Sequence, residues 1–215
     1  MRTLSDIQAP KKTSGSFIVR HRARLGLLLF FLLLPAVLYV RLWDIRALPA
    51  IQFALDAVAY ALVVLGMLIR LWSTLYIGGR KDSALQTAGP YSVTRNPLYA
   101  GSFLLGLGFA VITSNPLVLL LVLVYFAVQY RTTVRHEERT LAALFGAVFH
   151  DYMARVPRFI PNLALFDPTP PETVNLRSLT DELRHSLAFL ALLLLWQAVT
   201  ALQVAGVLGI WVVMK

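Results

Sequence analysis

Cysteine is absent from the 215 residues, which excludes disulfides, cysteine-ligated zinc, iron–sulfur clusters and thiol nucleophiles. Charge is scarce too: 14% of residues, where soluble domains carry about a quarter. That argues against a soluble single-domain enzyme. Acidic residues are the scarcest class, 11 Asp+Glu against 20 Lys+Arg for a net charge of +9. What remains is apolar, with 58% hydrophobic side chains and a mean hydropathy of +0.68. In a soluble protein the basic excess would suggest nucleic acid. In a chain this apolar it reads as the positive-inside asymmetry of a membrane protein, whose partner is a lipid bilayer and not nucleic acid.

Apolar runs at residues 25–43, 53–77, 98–113, 116–130 and 187–213 are each near the length of a helical span. They predict an all-α polytopic protein with about five transmembrane helices. Ser114-Asn115-Pro116 is a turn signal with Pro placed for the first turn of a helix, so the third and fourth runs form a tight antiparallel hairpin. Basic residues cluster at Arg2–Arg24, at Arg80, Lys81 and Arg95, and at Arg131, Arg135, Arg139, Arg155, Arg158, Arg177 and Arg184. Only Arg41, Arg46 and Lys215 fall on the other side. This split predicts a cytoplasmic N-terminus in a bacterial inner membrane and an odd number of spans. A retained anchor is expected for the first run, because no small-residue cleavage site closes it. The chain divides into a basic segment (1–24), a first span with an outer loop (25–52), a core (53–166), a Pro-rich linker (167–186) and a last span (187–215).

Distinctive polar residues concentrate in two cytoplasmic segments, 78–99 and 131–161, which the hairpin makes neighbours. In the first, Gly89-Pro90 is a turn, and Asn96-Pro97 sets a potential N-cap before a Pro at the first helical position. A helix start there offers free N–H groups to an anionic ligand. In the second, Glu137 and Glu138 point about 100° apart on a helix, so one faces a pocket and the other pairs with Arg135 or Arg139. Residues 149–161 read as a short amphipathic helix at the membrane interface, ended by prolines. Gly101, Gly106 and Gly108 suit close helix packing. Asp56 and Arg70 share the second run but lie 14 positions apart, about 21 Å, too far for one ion pair. Arg70 is expected to snorkel to the inner interface. His21, His136, His150 and His185 form no metal-ligand spacing, so no metal is expected and surface histidines are.

The order Gly89-Pro90-Tyr91, Arg95-Asn96-Pro97-x-Tyr99, hairpin, Glu137-Glu138, Phe145-Gly146, Tyr152 and Val156-Pro157-Arg158-Phe159-Ile160-Pro161 resembles the isoprenylcysteine carboxyl methyltransferases and the related phospholipid methyltransferases over about residues 60–161. The resemblance implies an integral membrane enzyme that uses S-adenosyl-L-methionine in a pocket at the cytoplasmic face and methylates a lipophilic small molecule. Carried over by position, it implies cofactor contacts at Ser83, Ala84, Leu85, Gln86, Tyr91, Asn96, Pro97, Leu98, Tyr99 and Glu137. Tyr99 and Arg135 become candidate catalytic residues, and Arg131, Arg135 and Arg158 candidate substrate-binding residues. No Gly-rich Rossmann signature is present.

Two positions depart from the family. Asn96 stands where a His is usual and cannot accept a proton near neutral pH. Thr133 stands where carboxyl methyltransferases place a substrate arginine, four residues before the cofactor glutamate. These departures motivate an alternative, a non-catalytic membrane protein of the same fold that serves binding or assembly. A transporter is a third possibility, marked by the intramembrane Asp56 and Arg70.

Overall fold

A computed structural model describes residues 40–41, 48–78, 84–171, 173–209 and 211–212, all within one compact unit spanning 39–215. The first apolar run apart from Val40 and Arg41, the basic N-terminal segment, Arg80, Lys81, Ser83 and His21 lie outside the described residues. Helix α1 is Pro49–Ile77, α2 is Pro90–Val93, α3 is Pro97–Thr113, α4 is Pro116–Gln129, α5 is Arg135–Arg155 and α6 is Leu176–Val204. A two-residue parallel pairing of Val40–Arg41 (β1) with Trp211–Val212 (β2) completes the described elements. The protein is an all-α polytopic membrane protein. Among the described residues, three helices are long and apolar enough to cross a bilayer: α1, the continuous Pro116–Arg155 and α6; α3 is a shorter apolar helix.

The expected close packing is between α1 and α3. A Cβ on Gly101 would sit 2.6 Å from Arg70 Cγ, one on Gly108 2.8 Å from the Ala59 oxygen, and one on Gly66 2.7 Å from the Gly101 oxygen. Small residues at these spacings let two backbones meet. Gly106 faces the other way, 3.0 Å from the Phe126 ring of α4. The hairpin is also as expected: Ser114 ends α3 in the left-handed region (φ 48), and the Asn115 side chain caps α4 by accepting from Leu117 N at 2.9 Å and Val118 N at 3.4 Å. On α4, Leu120, Leu123, Val124 and Val128 are exposed, a surface suited to lipid.

Helix α4 passes into α5 through one π-helical turn, Tyr130–Val134. α5 is broken at Gly146 (φ 55, ψ −128). Beyond the break, the expected amphipathic helix runs to Arg155, and its Phe149 and Tyr152 are buried with Val156 in a core that also takes Leu85, Leu141 and Phe145. The aromatic residues fall on one face after the Gly146 reversal, and that face finds protein before it finds membrane. The chain then runs back along the 93–96 segment, where Arg95 N donates to Pro157 O at 2.9 Å and Asn162 N to Val93 O at 2.9 Å. The last helix starts at Leu176, inside the expected linker, because Asn175 accepts from Ser178 N and caps a polar first turn.

Arg70 is paired within the protein. Its Nε and Nη2 donate to the two Glu182 carboxylate oxygens of α6 at 2.6 and 2.7 Å, and its Nη1 donates to Ser102 Oγ. At the other end of α1, Asp56 accepts from Gln52 and from Gln197 of α6.

Candidate functional site

The two polar segments meet around a cavity of about 520 Å³, within the roughly 300–1,000 Å³ usual for small-molecule and cofactor pockets. Its walls come from the end of α1 (Arg70, Ile77), the stretch Ala84, Leu85 and Gln86, Tyr91 of α2, Arg95 to Tyr99 and Ser102 at the start of α3, His136 to Glu138, Thr140 and Leu141 of α5, and Phe149 and Tyr152. Gly89 shapes the approach: its φ of +59 is open to glycine, and a Cβ there would strike the Tyr76 ring at 2.3 Å. Behind it, Gln86 Nε2 donates to Tyr76 O at 2.8 Å, fixing the 84–86 wall to the end of α1.

Three groups give the cavity its polarity. Glu137 is half-buried and accepts from Tyr99 Oη at 3.1 Å. Tyr91 is 7% exposed, its hydroxyl oxygen has no hydrogen-bond partner among the described residues, and Tyr152 Oη donates to its backbone oxygen at 2.7 Å. Burial, and then the neighbouring Tyr152 and Glu137, push the Tyr91 hydroxyl well above the usual tyrosine range, so it stays protonated and able to donate. Arg95 lies behind, with its Nε buried and likewise unpartnered.

Glu138 also lines the cavity, and its partner is not Arg135 or Arg139. Arg158 donates to both its oxygens, at 3.0 and 2.6 Å, and Arg95 Nη1 lies 3.6 Å away. The returning 157–159 segment brings Arg158 to it from the far side of the Gly146 break, whereas Arg135 and Arg139 are exposed on α5. Asn96 makes no side-chain cap of α3; its Nδ2 donates instead to Arg158 O at 3.1 Å. The same segment has claimed its amide.

Of the residues singled out by sequence, Ala84, Leu85, Gln86, Tyr91, Asn96, Pro97, Leu98, Tyr99 and Glu137 all line the cavity. Arg131, Arg135 and Arg158 do not line it. Sequence reasoning did not assign Arg70, Ser102, Arg95, Phe149 or Tyr152 to the site; His136, read as a surface residue, is exposed and also borders the cavity. A lone arginine in an apolar span was the available signal for Arg70. No group of three His, Cys, Asp or Glu suited to a metal occurs among the described residues. The cavity instead joins an acceptor for a cation (Glu137), unpartnered donors (Tyr91, Arg95) and apolar walls (Leu85, Leu98, Leu141, Phe149). Such a set fits a small zwitterionic ligand with a flat apolar face.

The phospholipid methyltransferase family model matches residues 55–148. The chain is 32% identical over 194 residues to the cobalt-zinc-cadmium resistance protein CzcN of Cupriavidus metallidurans, covering 90% of this chain and 88% of that protein. It is 31% identical over 185 residues to the nickel-cobalt-cadmium resistance protein NccN of Alcaligenes xylosoxydans xylosoxydans, covering 86% and 85%. A protein-S-isoprenylcysteine O-methyltransferase of Schizosaccharomyces pombe is 38% identical over 84 residues, 38% of this chain and 34% of that one. No solved structure matches the chain significantly. Family model and relatives together show that the chain belongs to the isoprenylcysteine carboxyl methyltransferase and phospholipid methyltransferase family of membrane proteins.

Proposed function

We propose that the chain is an S-adenosyl-L-methionine-dependent methyltransferase of the bacterial inner membrane, with its N-terminus and cavity on the cytoplasmic side, acting on a lipophilic small molecule. The observation that carries this reading is the joint presence, in the lining of a cavity of cofactor size, of Glu137 and of Tyr91 with its buried, unpartnered hydroxyl. Buried polar groups are ordinarily satisfied, so an orphaned donor beside a carboxylate suits a polar ligand.

In this reading Glu137, steadied by Tyr99, accepts from the cofactor's ammonium or ribose hydroxyls. Arg95 and the free N–H groups at the start of α3 receive its carboxylate. Leu85, Leu98 and Phe149 cover the adenine, and Ala84, Gln86, Asn96 and Pro97 shape the walls; Ser83 is proposed on sequence position alone. The cofactor supplies an electrophilic methyl group, and the chain contributes alignment and exclusion of water. Arg158 acts through Glu138, and Arg131 and Arg135 would meet only an acceptor group that projects beyond the cavity wall.

Calorimetric titration of the purified protein with S-adenosylmethionine tests the reading. Binding is expected, and Glu137→Ala is expected to weaken it by about 10- to 100-fold, the worth of a charge-assisted hydrogen bond. Absence of binding to the unaltered protein overturns it. The relatives named for metal resistance favour a second reading, a non-catalytic subunit of a resistance system. Cofactor binding without label transfer to any component of a membrane lipid extract would favour that one.

A further inference from the structure

Resting on the methyltransferase reading, the cavity also says which acceptor it suits. A carboxylate acceptor needs a cation to hold it and no base, because its oxygen already carries a free electron pair. Among the described residues the cations are committed: Arg70 is bound by Glu182 and Arg158 by Glu138, Arg95, 3.6 Å from Glu138, is taken by the cofactor's carboxylate, and the family's substrate arginine is Thr133. An acceptor bearing a proton makes the opposite demand, a group that takes the proton away.

Among the lining residues, Glu138 accepts from Arg158, Glu137 accepts from Tyr99, and Asn96 and the tyrosines hold their protons at neutral pH. His136 remains. It lines the cavity next to Glu137, and imidazole is the side chain that ordinarily exchanges a proton near neutrality. Charge narrows the acceptor further. Arg70, Arg95 and Arg158 balance Glu137, Glu138 and Glu182, so a bound sulfonium donor leaves the cavity net positive and repels an ammonium. Of the neutral protic nucleophiles, a thiol, with a pKa of about 8.5 in cysteine, lies closer to imidazole at about 6.5 than a phenol at about 10.

We propose that His136 is a general base and that the acceptor is a lipophilic thiol. The imidazole takes the S–H proton, and the thiol sulfur's electron pair forms the new S–CH3 bond. The bond between that methyl and the donor's sulfonium breaks, its electrons returning to the donor sulfur. Two neutral thioethers result, and the imidazolium passes its proton to water.

The test uses the full chain in lipid nanodiscs with labelled S-adenosylmethionine and three probes of equal chain length: dodecanethiol, dodecylamine and dodecanoate. Label is expected on the thiol in preference to the other two. His136→Gln is expected to lower turnover by about 10²- to 10⁴-fold while cofactor affinity, which also reports correct folding, stays within about twofold. Preferred labelling of dodecanoate or dodecylamine, or unchanged turnover in His136→Gln, would each overturn the proposal. Failure of the unaltered protein to bind cofactor would instead overturn the methyltransferase reading beneath it.

Discussion

At the scale of single residues, the site divides into groups that hold the fold and groups held ready for a ligand, and substitution separates them. Tyr91→Phe removes a hydroxyl without a partner, so the melting temperature should hold or rise while cofactor affinity falls; equal loss of both would contradict the assignment. Glu138→Ala should behave in the opposite way. It strands Arg158 and the buried Arg95 without their carboxylate, and removing one partner of a buried pair costs about 3–5 kcal/mol. For a chain of this size that is roughly a 6–20 °C fall in melting temperature in detergent. Asp167 gives a pH effect of known sign. Hydrogen bonds from the Thr169 hydroxyl and N–H hold its carboxyl below the usual range. A depressed folded-state pKa contributes stability above the unfolded value and loses it as pH falls through the folded one. Limited proteolysis around residue 169 should therefore quicken on acidification, and Asp167→Asn should abolish that dependence.

At the scale of elements, the α3–α4 hairpin depends on one cap. Asn115→Ala should cost about 1 kcal/mol, measurable as a lowered unfolding midpoint. Gly108→Leu should cost more, since even its Cβ lies 2.7 Å from Val63. These features were legible in sequence because they are local: an apolar run sets a span, Ser114-Asn115-Pro116 sets a turn, and glycines at helical spacing set a close approach. Most of the cavity wall was legible for a different reason, the ordered motifs around the hairpin. Pairings between distant residues were not. Arg70 finds Glu182 at a separation of 112 positions and Asn96 finds Arg158 at 62, and both depend on where the chain returns after Gly146 and Leu176. No periodicity encodes that return, and the polar first turn of α6 looked like linker for the same reason.

At the scale of the whole molecule, α6 lies beyond the family-matched 55–148 yet is fastened to the core at three levels: Arg70–Glu182, Trp196 to Ile112 O and Gln197 to Asp56. Arg70→Glu and Glu182→Arg should each destabilise the protein, and the double exchange should recover part of the loss, with a coupling of about 1–3 kcal/mol in a double-mutant cycle. The cysteine-free chain also permits a direct test of orientation. Thr169→Cys should react with an impermeant maleimide in inside-out vesicles and not in right-side-out ones. The π-helical turn Tyr130–Val134 has a consequence that reaches beyond its five residues. It inserts a phase offset into an otherwise continuous helix, so every side chain downstream is rotated by the angle of one residue, about 100°. Forcing the turn into α-helical pairing with all five residues kept would swing Glu137 and His136 out of the cavity by that angle, whereas deleting one residue within it would restore α-helical timing and leave them in place.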